Sequence, residues 1–276
     1  MPGQRIVLVR AKESANVGAA ARAMLNFGLD DLWLVAPRCR IDHRAYALAS
    51  HAEEVLKSAT VVDTLDEAIG DMTLVAGTSA RERAADNYVV MGPREGAPRL
   101  AGSTAVLFGP EDHGLSNQEL TKCQLQIVIP TADFSSLNLA QAVLVVAYEL
   151  HMHGVAPVAQ PSNAKASTAH AATDHAAPGS APNAAAGTAA PAARDQVEGF
   201  YAQLERAMLH IGYTDPPRAP SIMRIYRALL DRARPNAHEL AALRGLISQF
   251  EWAARQPPER LPGSAAPGVR GDDTDA

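Results

Sequence analysis

Three apolar runs in this chain stop abruptly on small and polar residues: Gly77-Thr78-Ser79-Ala80-Arg81, the stretch FGPEDHGLSN (108–117) and the stretch IPTADFSSLN (129–138). Such residues at strand ends build a binding pocket. Glycines such as Gly77 and Gly109 let backbone come close to a ligand, and hydroxyls and amides supply hydrogen bonds. Ser135, Ser136 and Asn138 can cap the helix at 139–150 while offering its N–H groups to a bound molecule. A further segment, NVGAAARAM (16–24), sets Asn16 and Arg22 six residues apart. If Asn16 caps a helix, Arg22 lies nearly two turns in, among alanines. It is then either a solvated charge or a permanently charged fork aimed at phosphate or carboxylate, and spacing leaves both open. Glu111 and Asp112 form a carboxylate pair of the kind hydrolysis uses. Adjacent residues seldom converge on one reacting atom, so they read better as acids opening a helix.

Other chemistries lack support. The chain has no glycine-rich dinucleotide or triphosphate cradle and no nucleophile elbow. Cys39 and Cys123 have no metal-ligand spacing and no setting that activates a thiol. His153, His170 and His175 read as polar residues scattered in low complexity rather than as a metal cluster. Two cysteines suit a reduced, cytoplasmic protein. The start MPGQRIVLVRAKES has only four straight apolar residues, too few for an export signal, and no stretch is long enough to span a membrane.

The elements that must position these residues alternate. RIVLVR, LWLVAP, MTLVAGTS, TAVLFGPE and LQIVIPT read as strands. NVGAAARAMLNFG, stopped by Gly28, YALASHAEEVLKSA, the short SNQELTKC capped by Ser116 or Asn117, and the apolar run ending at Leu150 read as helices. Uniformly apolar strands alternating with helices predict an α/β domain over 1–154, a parallel sheet covered on both faces. Residues 155–195 are rich in Ala, Pro, Ser, Gly and Thr without periodicity and read as a disordered tether that lets the C-terminal part swing; the tail 257–276 reads as loose too. Residues 196–256 predict three helices in a small all-α bundle. The first has Val197, Phe200, Tyr201, Leu204, Met208 and Ile211 on one face and stops at Gly212; the third starts on an Asn236/Glu239 capping box. Net charge is −5 for the whole chain, yet residues 218–234 hold five Arg against one Asp. That is a local basic stripe.

Taken in order, RIVLVRAKESANVGAAARAMLNFGLDDLWLV, VAGTSAR, VLFGPEDHGLSNQEL and IPTADFSSLNLAQAVLVVAYEL resemble the motifs of SpoU-type RNA ribose 2′-O-methyltransferases of the SPOUT class. The helical segments FYAQLERAMLHIGY, RIYRALLDRARP and HELAALRGLI are similar to the extra domain of the TrmJ subgroup. The resemblance implies a SPOUT fold closed by a trefoil knot, which topology rules alone exclude by default. It implies a homodimer, S-adenosylmethionine as methyl donor, no required metal, and as target the ribose of cytidine or uridine at position 32 of the tRNA anticodon loop. By matching motif position, Thr78, Ser79, Ala80, Gly109, Ile129, Ser135, Ser136 and Leu137 would line the donor site. Arg22 would be the catalytic arginine, reaching the ribose near the partner subunit's donor, with Asn16 in support. Arg81, Arg83, Glu111 and Asn138 would lie close to the RNA. Phe134 and Pro110 stand where members often carry Tyr and Arg, which removes a hydroxyl and a phosphate contact. The bundle arginines, Arg224, Arg227 and Arg234 with Arg218, Arg232 and Arg244, would then bind tRNA phosphates. Two alternatives remain: the same chemistry on another tRNA position or on ribosomal RNA, and a non-catalytic RNA-binding protein on the same scaffold.

Overall fold

In a computed structural model of the protein the described residues are 3–80, 89–133, 136–154 and 190–255. Arg81, Arg83, Phe134, Ser135, most of the expected tether and the tail lie outside them. The chain divides into two compact units that meet in sequence at Pro191/Ala192.

The first unit is built on seven parallel strands, β1 (Gln4–Val9), β2 (Asp31–Val35), β3 (Thr60–Val62), β4 (Leu74–Ser79), β5 (Val89–Met91), β6 (Thr104–Phe108) and β7 (Leu125–Val128), in the order β3-β2-β1-β6-β4-β7-β5. Every residue of β1 and β6 is buried. Alternate side chains feed two cores: Ile6, Leu8, Val106 and Phe108 on one face, Val7, Val9, Ala105 and Leu107 on the other. This is the pattern of a parallel sheet covered on both sides, as the apolar runs predict. β6 enters between β1 and β4, and β7 between β4 and β5, so two late strands insert among earlier ones.

The helices are α1 (Ser14–Asn26), α2 (His43–Ala49), α3 (Glu53–Lys57), α4 (Leu65–Ile69), α5 (Pro93–Gly96), α6 (Asn117–Leu120) and α7 (Leu139–Gly154). α1 starts after Glu13, so Asn16 sits inside its first turn instead of capping it; the helix does stop at Gly28, which has φ 75°. α1 lies so close to α2 that a Cβ on Gly18 would stand 2.0 Å from the carbonyl oxygen of Ala45. The single helix expected over 46–59 is broken, because Ser50 takes a left-handed φ of 54° and a 3-10 turn separates α2 from α3. No helix among the described residues is long and apolar enough to cross a membrane.

The second unit holds α8 (Arg194–His210), α9 (Ala219–Ala233) and α10 (Ala237–Ala254). Its core includes Val197, Phe200, Tyr201, Met208, Met223, Leu240 and Ile247, with Ala192 already buried ahead of α8. Asn236 and Glu239 make the expected capping box. Ile211, expected in the core, is exposed because the chain leaves the helix there and turns at Gly212, φ 72°.

Candidate donor cavity and its polar anchor

The carboxyl ends of β4, β6 and β7 and the start of α7 surround one cavity of about 490 Å³. Thr78, Ser79, Ala80, Gly109, Ile129, Ser136 and Leu137 line it, with Phe108, Leu139, Ala142 and the 110–115 loop. Ligands of open α/β sheets bind at this edge. The volume falls within the usual range for small-molecule sites, roughly 300–1,000 Å³. Every residue that the resemblance put at the donor site and that lies among the described residues is therefore on one wall or another of the same cavity.

The 110–115 loop folds back on its own strand. Gly114 has φ 68° and its N–H donates to the carbonyl of Pro110 at 2.9 Å. A Cβ on Gly109 would lie 2.2 Å from the carbonyl carbon of Gly114 and the nitrogen of Leu115. On Gly77 it would lie 2.7 Å from Leu120 Cδ2 and 2.9 Å from Cys123 Sγ. These glycines are thus required by close approach of the chain to itself, a correction to their reading as places where backbone meets ligand.

A directed chain of hydrogen bonds ties three distant segments together. Asn138 caps α7: its Oδ1 accepts from the Ala140 N–H at 2.9 Å, and its own N–H donates to Gln141 Oε1 at 3.3 Å. With Oδ1 so engaged, Asn138 Nδ2 donates to Asn16 Oδ1 at 2.9 Å. Asn16 Nδ2 in turn donates to Glu111 Oε1 at 2.8 Å, and the Lys12 N–H reaches Glu111 Oε2 at 3.3 Å. The run of amide donors thus ends on a carboxylate whose two oxygens both accept. Asp112 accepts from Lys12 Nζ and from His113 Nδ1, the latter at 2.7 Å. The Lys12 bond first, then that of His113, hold its carboxyl well below the usual range. Glu111 and Asp112 therefore anchor a loop, which corrects their reading as acids that open a helix. The next helix in the chain, α6, begins at Asn117 under a Ser116/Glu119 capping box.

Glu119 does a second job that the linear order conceals. It is buried and takes a bidentate ion pair from Arg10 and the Ser116 N–H at 2.6 Å. Burial works against its charge, but Arg10 and Ser116 outweigh it and the carboxyl titrates below its ordinary value. Arg10 itself has a left-handed φ of 52° just past β1, beside Ala36 at φ 43° just past β2. Strain of this kind collects at functional edges. The Ser116/Glu119 spacing is a readable signal; the Arg10 partner, 109 residues away, is not.

Arg22 stands apart. It is exposed on α1, lines no part of the cavity, and its side chain has no hydrogen bond or ion pair among the described residues. Three residues on, Leu25 is 45 % exposed; on the neighbouring α7, Leu144, Tyr148 and Met152 form an exposed stripe at intervals of four, with Phe27 edge-on to Tyr148 at 5.7 Å. Of the expected RNA contacts in the bundle, Arg224 and Arg234 are exposed. Arg227 is not available: its two Nη atoms bind Glu198 at 2.8 Å each, and it lies 4.3 Å over the Tyr201 ring. It belongs to a buried network in which Arg194 reaches Asp231 at 2.9 Å and Glu198 at 2.7 Å, and the Tyr201 hydroxyl donates to Asp231 at 3.1 Å. Desolvation, with Asp231 nearby, pushes the Tyr201 phenol far up, so it stays a donor. No group of residues able to hold a metal occurs among the described residues.

Residues 3–148 match the model of the SpoU rRNA Methylase family, and residues 195–259 match that of the tRNA methyltransferase TrmJ C-terminal domain. The chain is 39 % identical over 260 residues to the tRNA (cytidine/uridine-2′-O-)-methyltransferase TrmJ of Cronobacter sakazakii, covering 92 % of this chain and 98 % of that one. To its counterpart in Klebsiella pneumoniae it is 40 % identical over 253 residues, covering 90 % and 96 %. The crystal structure of TrmJ from Z. mobilis ZM4 superposes with a TM-score of 0.71 at 36 % identity, over 90 % of this chain and 99 % of that one. Family-model matches in both units and similarity along nine-tenths of its length agree with the cavity and its anchor: the chain belongs to the SpoU methylase family, in its TrmJ branch.

Proposed function

We propose that the protein is a homodimeric tRNA methyltransferase that moves a methyl group from S-adenosylmethionine to the ribose 2′-OH of the pyrimidine at position 32 of the anticodon loop. The observation that carries this reading is the convergence of Thr78–Ala80, Gly109, Ile129 and Ser136–Leu137 on one cavity, locked to Asn16 through Asn138. The relatives named above bear the cytidine/uridine-2′-O-methyltransferase activity in their names. The cavity suits the donor: its size fits a nucleoside with an amino-acid arm, and its walls mix apolar Ile129, Leu137 and Leu139 with the hydroxyls of Thr78, Ser79 and Ser136.

The donor supplies an electrophilic methyl on sulfonium and leaves as a neutral thioether. The protein's residues do the rest. A ribose hydroxyl is a weak acid and must lose its proton as it attacks. A guanidinium is a poor base, so Arg22 serves better as a clamp on the developing alkoxide and the adjacent phosphate, and the released proton passes to solvent. Its exposure, its lack of a partner among the described residues and its place beside the Leu144/Tyr148/Met152 stripe support action across a two-fold interface, on a ribose at the partner's cavity. Asn16 holds Glu111 and Asn138 in register at the root of the same helix. Of the bundle arginines, the exposed Arg224, Arg232 and Arg234 would bind tRNA phosphates, while Arg227 serves the fold.

Methyl transfer from labelled donor to tRNA transcripts with C, U, A or G at position 32, and with a 2′-deoxy control, tests this. Label on the ribo form only, nearly lost in Arg22→Ala, is the expected result. Label on ribosomal RNA or another tRNA position would keep the chemistry and change the substrate; a protein that does not bind the donor would overturn the enzyme reading.

A further inference from the structure

We infer that the loop after β2 and the first turn of α2, carrying Arg38, Arg40 and Arg44, are a second RNA-backbone contact that grips phosphates beside the ribose being methylated. This deepens the tRNA reading and rests on it. All three arginines are exposed, and none has a side-chain hydrogen bond or ion pair among the described residues. The first unit carries more acidic than basic residues, 18 Asp+Glu against 13 Lys+Arg over 1–154, so three unspent guanidiniums within seven positions are a local exception.

The loop is fastened to the functional edge. The Arg38 N–H donates to the Ala11 carbonyl at 2.9 Å, and Ser14 Oγ donates to Asp42 Oδ1 at 2.7 Å. Both anchors belong to the segment that leads into Asn16. Cys39, between two of the arginines, is raised by burial and then by the carboxylate of Glu111, which puts the loop within electrostatic reach of the Asn16–Glu111 pair. The acids nearest the loop are largely engaged: Asp42 accepts from Ser14 and from the N–H groups of Arg44 and Ala45, and Glu111 from Asn16 and Lys12. Glu13 is the exception, exposed at the start of α1. A nucleotide presented at this edge brings a phosphate on either side of its ribose. Planar, always-charged forks on a pinned loop suit that partner better than a neutral ligand.

The test is tRNA binding by wild type and by the full-length triple variant Arg38→Glu/Arg40→Glu/Arg44→Glu across about 50–200 mM salt. Donor affinity and melting temperature serve as folding controls, and the triple alanine variant separates lost contact from added repulsion. Each phosphate contact adds about 0.7–0.9 to the slope of log affinity against log salt. The expected result is affinity at least about tenfold weaker at low salt and a slope shallower by about 2–3, in both variants, with donor binding unchanged. Unchanged affinity, or weaker affinity with an unchanged slope, would overturn the inference. A wild-type protein that binds the donor but no tRNA would instead overturn the tRNA reading, and this contact with it.

Discussion

Asn138 Nδ2 donates to Asn16 Oδ1 across 2.9 Å of space and 122 residues of sequence. The bond joins the cap of α7 to the first turn of α1, and Asn16 passes it on to Glu111 at 2.8 Å. Because Asn138 Oδ1 is occupied by the helix it caps, neither amide can flip without breaking a bond. Asn16→Ala and Asn138→Ala should therefore not be additive. A double-mutant cycle on methyl transfer should show a coupling of about 0.5–3 kcal/mol, as for side chains in one network. Additive losses would mean that the two asparagines act separately.

Arg10 and Glu119 make stability depend on acid. Glu119 has a folded pKa below its unfolded value of about 4.3, so its contribution is present above that pH and is lost as pH falls through the folded value. Glu119→Gln should cost about 2 kcal/mol at pH 7 by breaking a charge-assisted pair, and should flatten the loss of stability below about pH 4. Denaturant melts at pH 7 and in acid check both parts. An equal acid slope in the variant would place the titration elsewhere.

Two glycines should respond in opposite directions to the same added methyl. Gly109→Ala forces a Cβ to 2.2 Å from backbone atoms that belong to the cavity wall. The loop must move, so stability should fall by about 3 kcal/mol or more and donor binding should weaken sharply. Gly245 lies inside α10 with nothing within 4 Å of its missing Cβ. Gly245→Ala should stabilise the bundle by about 0.5–1 kcal/mol. Thermal melts and donor titrations distinguish them.

Arg224 and Arg227 lie one turn apart on α9 and should separate binding from stability. Arg227→Ala removes a bidentate pair with Glu198 and a cation over Tyr201, and should destabilise the bundle by about 2–3 kcal/mol. Arg224 is exposed, and among the described residues its side chain donates only to Ser221, at 3.1 Å. Arg224→Ala should leave stability within about 0.5 kcal/mol and weaken tRNA binding. A bundle that melts alike in both variants would contradict the role given to Arg227.

The difference between those two arginines marks the limit of sequence reasoning here. Buried parallel strands are legible because β1, β4 and β6 are long apolar runs. β3 and β5 have three residues each, too few to show a period, and both escape notice. The break at Ser50 is invisible because a left-handed serine leaves no compositional trace. Glu111 and Asp112 look like the start of a helix because a helix does begin a few residues later, under Ser116. The cavity wall can be named residue by residue only because four motifs occur in a familiar order. Asn16, Glu111 and Asn138 meet through tertiary contacts that no local pattern encodes, and a charged residue on a helix face looks the same whether it faces water or Glu198.

If Arg22 acts on a ribose at the partner's cavity, each active centre needs residues from two chains. Arg22→Ala and a donor-site variant such as Gly109→Ala would each be inactive alone as homodimers. Mixed and allowed to exchange subunits, they form hybrids in which one centre combines the intact Arg22 of one chain with the intact cavity of the other. Random pairing makes about half of the dimers hybrid, each with one of two centres whole, so the mixture should recover about a quarter of wild-type activity. Placing charge on the apolar stripe, as in Leu144→Asp/Tyr148→Asp, should yield monomers by sedimentation and abolish that recovery along with the parent activity. Arg22 acting within its own chain predicts the reverse for the mixture. A hybrid would then carry one centre lacking its arginine and another lacking its cavity, and mixing would restore nothing.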